Sequence, residues 1–181
     1  MKKILILGAM LVATVASYAQ GTVTFANATA TAITNISVPA PYPKAVVNVG
    51  LYGSTSLGLP DDSSLTLIGL TTNTLVSGGI FIGGTRSIGN AGQTVTLQVR
   101  AWSGAFASYE DAVLGATETT LLGKSTKWEQ ATGGGSNPAQ PITGAGRLTP
   151  FTVNVTPVPE PSSIALGLLG LGAIALFRRR K

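Results

Sequence analysis

Polar and apolar side chains alternate without a break from Thr94 to Ala101, and this run constrains the fold more than any other. Successive side chains of a strand point to opposite faces. Val95, Leu97, Val99 and Ala101 therefore share one face, and Thr94, Thr96, Gln98 and Arg100 the other. The expectation is an antiparallel strand with one buried and one solvated face. The same alternation marks Val23 and Phe25, then Val47, Val49 and Leu51 in the segment ending at Tyr52, and finally Phe151, Val153 and Val155. Leu65–Ile68 and Ile80–Ile82 are shorter candidates. Turn signals separate these runs at Tyr52-Gly53-Ser54, Leu59-Pro60-Asp61-Asp62, Ser77-Gly78-Gly79, Gly83-Gly84 and Gly89-Asn90-Ala91-Gly92. Gly133-Gly134-Gly135-Ser136-Asn137-Pro138 reads as a flexible loop ahead of the last strand. Ser108 is placed to cap a helix of one or two turns over Tyr109–Leu114, with Glu110 and Asp111 in its first turn. Short strands with turns between them predict an all-β fold over residues 20–157, a single β-sandwich of jelly-roll or immunoglobulin-like type.

Two absences narrow the chemistry. Among 181 residues there is no His, so Ser-His-Asp catalysis and imidazole metal sites are excluded. There is no Cys, so disulfides, thiolate nucleophiles, zinc fingers and iron–sulfur clusters are excluded too. The domain must be held by its core alone. Carboxylates are the acid–base groups that remain: Glu110, Asp111, Glu118 and Glu129, with Asp61-Asp62 after Pro60 reading more simply as a turn. A calcium site at Asp61-Asp62 or Glu110-Asp111 lacks the spaced ligands of a dedicated loop. Gly123-Lys124-Ser125 resembles the end of a phosphate-binding loop, but the position five residues before Gly123 is Glu118 rather than glycine. The reading is a non-enzymatic protein with no metal and no cofactor.

The formal net charge of +5 suggests an anionic partner until its location is considered. Residues 20–157 carry six basic side chains (Lys44, Arg86, Arg100, Lys124, Lys127, Arg147) against six acidic ones, a net charge of zero. The excess lies wholly at the two ends, so a nucleic-acid partner is not expected.

The N-terminal end reads as a secretory signal peptide over residues 1–19. Lys2 and Lys3 precede an apolar run from Ile4 to Ala16, and Ser17-Tyr18-Ala19 sets small residues for cleavage between Ala19 and Gln20. Its expected partners are the secretion translocon and signal peptidase. The C-terminal end, 158–181, has three parts. Val158-Pro159-Glu160-Pro161 forms a stiff neck, because proline fixes φ and disfavours helix just upstream. An uncharged stretch from Ile164 to Phe177 follows, and then Arg178, Arg179, Arg180 and Lys181. A helix over 162–177 falls short of the roughly 30 Å hydrocarbon core, so it reads as a marginal transmembrane anchor. The basic cluster acts as a stop-transfer signal and stays cytoplasmic, which leaves the body of the chain on the exported side. The sandwich is thus expected to be flanked by an N-terminal signal helix and a C-terminal hydrophobic helix.

Taken together, Val158-Pro159-Glu160-Pro161-Ser162-Ser163-Ile164-Ala165-Leu166, the Gly/Leu-rich helix and the Arg-rich end resemble a PEP-CTERM sorting signal. The resemblance implies an exosortase, a membrane-embedded cysteine protease or transpeptidase, as partner. It also implies transient anchoring in the inner membrane, removal of the tail, and delivery to the cell surface or extracellular matrix. The remaining chain is similar to a group of uncharacterised exported proteins with the same tail. That similarity rests on Gly21-Thr22-Val23-Thr24-Phe25-Ala26-Asn27, Leu51-Tyr52-Gly53, Val99-Arg100-Ala101-Trp102, Ser108-Tyr109-Glu110 and Gly123-Lys124-Ser125. It implies a single domain and no catalytic residue.

A structural or adhesive role is the expectation for this body. The rival is a carbohydrate-binding module for matrix exopolysaccharide, with Trp102, Tyr109 and Trp128 as a stacking platform. Parity places Trp102 on the Arg100 face, away from Val95, Leu97 and Val99. Asn27, Asn35 and Asn154 begin N-glycosylation triplets that arise readily in a Thr-rich chain.

Overall fold

The alternating run becomes β6 (Thr94–Ser103), the longest strand in a computed structural model that describes residues 20–35, 46–74 and 79–155. The expected signal peptide, the Pro-Glu-Pro neck and the hydrophobic tail helix lie outside the described residues. Ahead of β6 come β1 (Gln20–Ala26), β2 (Ile33–Asn35), β3 (Val46–Ser54), β4 (Thr66–Thr74) and β5 (Ile82–Asn90). After it come helix α1 (Tyr109–Leu114), β7 (Leu121–Lys124), β8 (Trp128–Ala131), β9 (Gln140–Pro141) and β10 (Phe151–Val155).

These strands make two curled sheets, and the described chain is predominantly β. The smaller sheet has the order β5-β1-β9. The larger runs β2-β10-β7-β6-β3-β4, with β8 also on β6. β1–β9 and β10–β2 are parallel pairs; the others are antiparallel. β7 and β8 act as one interrupted strand along β6, pairing with Arg100–Trp102 and with Thr94–Leu97 respectively. Ser125 stitches the interruption. Its N–H donates to Val99 O at 2.8 Å, and its Oγ accepts from Val99 N at 3.0 Å.

The alternation read from the sequence builds the core. Val23 and Phe25 of β1, Val47, Val49 and Leu51 of β3, the apolar face of β6, and Phe151 and Val153 of β10 are all buried in one cluster that spans both sheets. Two glycine-bearing turn signals, Tyr52-Gly53-Ser54 and Gly83-Gly84, lie instead inside strands, because Gly53 and Gly83 serve close approach. Gly53 is within β3, where a Cβ would stand 2.4 Å from Ile88 Cδ1 of the other sheet. Gly83 is within β5 under Phe25, whose Cδ1 is 2.2 Å from the place a Cβ would take. Gly84 has φ +75° and sits where the β1–β5 register slips, the conformation of a bulge. Phe81, just before β5, is buried with its ring centroid 4.9 Å from that of Phe25.

The loop at 133–138 is held against β1. Thr22 and Gly133 exchange backbone hydrogen bonds of 3.2 and 2.8 Å, and Gly134 pairs with Asn137. Asn27 is likewise committed. Its amide nitrogen donates to Thr31 O (3.0 Å) and Gly79 O (2.9 Å), and its Oδ1 accepts from Phe81 N at 2.6 Å.

The largest departure from expectation is the second face of β6. Thr96, Gln98 and Arg100 were expected in solvent, and all are buried. The chain between β3 and β4 and the segment carrying α1 cover them. Thr96 Oγ1 donates to Ser56 O at 2.8 Å, and Trp102 Nε1 donates to Phe106 O at 3.0 Å. Tyr52, Leu65, Trp102 and Ala112 form a second apolar cluster on this side, with Phe106, Tyr109 and Leu122 packed against it.

Candidate functional site

Arg100 stands at the centre of this covered face. Its residue is 2% exposed, and a guanidinium cannot shed its charge, so burial requires partners for its N–H groups. Nε donates to Gln98 Oε1 at 2.8 Å, Nη2 donates to Asp62 O at 2.9 Å, and Nη1 forms a salt bridge with Glu110 Oε1. The guanidinium carbon also lies 4.1 Å from the centroid of the Tyr52 ring and 5.7 Å from that of Tyr109. Such stacking adds electrostatic attraction to the ring face.

Each partner arrives from a different element. The β3–β6 register sets Tyr52 opposite Gln98, two residues along β6 from Arg100 and on the same face. Glu110 comes from α1, whose start is built as the sequence expects. Ser108 is the N-cap, its Oγ accepting from Asp111 N at 3.1 Å and donating to Asp111 Oδ2 at 2.8 Å. The Tyr52 hydroxyl then links strand and helix. It donates to Glu110 Oε2 at 2.9 Å and accepts from Tyr109 N at 2.9 Å.

Protonation follows from these contacts. Burial pushes the Tyr52 phenol up to about 12, with the Glu110 carboxylate adding to the rise, while Arg100 and the Tyr109 N–H oppose it. Tyr109 is also raised by burial. Asp62 is held below the usual carboxylate range, chiefly by its hydrogen bond from Lys124. Lys124 Nζ lies 2.5 Å from Asp62 Oδ2 and Lys127 Nζ 3.1 Å from Oδ1, while Lys127 also donates to Pro60 O at 2.6 Å. The result is a fixed cation, a phenol that keeps its proton through the neutral range, and a paired carboxylate. Together they tie the β3–β4 connection, α1 and the β7–β8 break to one strand.

The expected stacking platform is not assembled. Trp102 does lie on the Arg100 face, as parity indicates, but it is fully buried, with Tyr109 edge-on at 6.4 Å between ring centroids. Trp128 sits on the opposite side of β6. It is buried in the main core opposite Leu97, and its Nε1 donates to Gln130 Oε1 at 2.8 Å. Covering segments and strand parity therefore withdraw both indoles from solvent and from each other. The acids are also dispersed: Glu110 is on Arg100, Asp111 is at the helix cap, and Glu129 Oε1 accepts from Gly58 N at 2.6 Å. Among the described residues no group of three or more acidic side chains gathers as metal ligands would. Sequence reasoning missed Tyr52 and Gln98 as partners of Arg100, and read Asp62 as a turn residue or calcium ligand rather than as the acceptor of Arg100 Nη2 and the partner of Lys124. A usable signal existed in Trp102, a large apolar ring continuing the supposedly wet face of β6.

The sorting residues Val158, Pro159, Glu160 and Pro161, the basic cluster Arg178–Lys181 and the expected cleavage junction after Ala19 lie outside the described structure; Gln20 is the first residue of β1. Among the described residues no helix is long and apolar enough to cross a membrane. Residues 157–181 match the family model of the PEP-CTERM protein-sorting motif. No curated protein and no solved structure matches the chain.

Proposed function

We propose that this chain, exported and sorted through the PEP-CTERM motif at 157–181, is a non-enzymatic structural or adhesive protein of the cell surface or extracellular matrix. The motif carries the reading. It implies processing by an exosortase at the membrane, with transient anchoring followed by surface display. On this reading residues 1–19 direct export through the translocon and are removed by signal peptidase. Residues 20–157 are the displayed domain, a β-sandwich in which the two sheets enclose one core. Residues 158–181 are the address.

The polar groups support the non-enzymatic half. Arg100, Glu110, Asp62, Lys124 and Lys127 are engaged with one another or with backbone oxygens, an arrangement that stiffens a body. A fold without cysteine that works outside the cell benefits from such ties, since no disulfide supplements its core. The test is fractionation of cells expressing the full chain, with and without an exosortase. Surface or matrix recovery that depends on the enzyme, and is lost when Pro159-Glu160-Pro161 is replaced by alanines, supports the proposal. Equal recovery in all arms refutes it.

A further inference from the structure

The expected cleavage junction coincides with the first residue of the fold. β1 begins at Gln20 and is the middle strand of the smaller sheet, with Val23 and Phe25 fully buried. Its main chain is clamped from the start. A Cβ on Gly21 would stand 2.4 Å from Ile88 O and 2.5 Å from Asn90 O, and Thr22 exchanges backbone hydrogen bonds with Gly133. Gly134 lies against Gln20 O, which is 2.1 Å from the place its Cβ would take.

The side chain of Gln20 is not held in this way. The chain has five glutamines, and the other four are engaged. Gln93 Oε1 accepts from Asn90 N, Gln98 Oε1 from Arg100 Nε and Gln130 Oε1 from Trp128 Nε1, while Gln140 Nε2 donates to Pro138 O. Gln20 is exposed, and among the described residues its amide makes no hydrogen bond.

We propose that Gln20, once freed by cleavage after Ala19, is a modification site, its α-amine closing on its own side-chain amide to give an N-terminal pyroglutamate. The inference rests on the signal-peptide reading above and says what becomes of the terminus that cleavage creates. An α-amine has a pKa of about 7.7–8.0, so a usable share is unprotonated near neutral pH. Its nitrogen attacks Cδ. The N–Cδ bond forms, the Cδ–Nε2 bond breaks, and one amine proton departs with Nε2 as ammonia. No oxidant, reductant or second substrate enters. The fold does not oppose the step, because the clamp acts on the main chain and the side chain that turns back leaves no partner behind. The lactam keeps one N–H and loses the positive charge. It also leaves no free amine for an aminopeptidase, and chain termini are where proteolysis concentrates. Trimming past Gln20 would run directly into a core strand.

The test is the mass of the N-terminal tryptic peptide, residues 20–44, from full-chain protein expressed in cells and recovered from their surface. Most of it is expected to be lighter by one ammonia and closed to Edman sequencing. A synthetic 20–44 peptide carried through the same digestion sets the background. The Gln20→Ala protein, changed only at an exposed and unbonded side chain, is expected to keep its full mass and to sequence normally. A 20–44 peptide of unmodified mass, or no more of the lighter form than in the synthetic control, overturns the proposal and leaves export intact. A peptide that still contains Ala19 refutes the signal-peptide reading and the modification with it.

Discussion

The Tyr52 hydroxyl donates to Glu110 Oε2 at 2.9 Å, joining β3 to α1 across 58 residues of chain. The same carboxylate neutralises Arg100 through its other oxygen. One phenol and one carboxylate thus hold the helix over a strand whose polar face is otherwise dry.

Replacing Tyr52 by phenylalanine tests this link. The ring and its stacking on Arg100 survive, while two hydrogen bonds are lost, so a loss of about 1–2 kcal/mol in urea unfolding is expected. The pH dependence gives a second readout. The folded-state phenol is raised to about 12, above the 10.0 of a free tyrosine, so its contribution is full below pH 10 and fades as pH rises toward 12. Tyr52→Phe should flatten that alkaline limb without abolishing it, since Tyr109 is raised in the same direction. An unchanged limb contradicts the assignment.

Glu110→Ala leaves the Arg100 charge buried without its counter-ion. Breaking a fully buried pair costs about 3–5 kcal/mol, but the Glu110 side chain is 52% exposed and water already screens it. We expect about 2 kcal/mol, with weakened protection of the α1 amides in hydrogen exchange. A cost near zero would mean that Gln98 and the Asp62 carbonyl suffice for the guanidinium.

Asp62 sets the acid limb. Its folded-state pKa is lowered, first by Lys124, so its contribution is present above the unfolded carboxylate range and is lost as pH falls through the folded value. Asp62→Asn should therefore lower stability at pH 7 and make it depend less on pH below about 4. Denaturant midpoints of the two proteins across that range decide the matter; parallel curves exclude the ion pair as a contributor.

Gly83→Ala should be costly although alanine is the milder residue by propensity. The new Cβ meets Phe25 Cδ1 at 2.2 Å inside the core, and overpacking of this kind costs about 1–3 kcal/mol. Gly58→Ala meets nothing within 4 Å, and only its positive φ opposes the change. Thermal melts of the two variants separate steric from conformational cost.

The core strands β1, β3, β6 and β10 were legible because one rule governs them, alternation, as where Val95, Leu97, Val99 and Ala101 share a face and burial follows. The short or glycine-rich β2, β5, β7, β8 and β9 carry no such run. The Ser108 cap was legible for the same local reason. What escaped was set by distant chain. Gly53 and Gly83 carry turn chemistry locally, yet Ile88 and Phe25 arrive from other strands to use the space. The polar face of β6 looked wet because Thr94, Thr96, Gln98 and Arg100 are polar, and Trp102 alone on that face hints that residues 54–65 and α1 will cover it. The aromatic platform failed on the same point, since parity gives a side chain its face but not what is laid over it. The sorting motif was legible because it is recognised as sequence, and residues 157–181 match it.

On the reading proposed above, the chain is exported and relieved of its tail. Intact-mass measurement of the protein recovered from the envelope and surface of cells with a working exosortase tests it most directly. The result expected is a species beginning at Gln20 and lacking at least Ile164–Lys181. A surface species whose mass still includes the chain through Lys181 would contradict it.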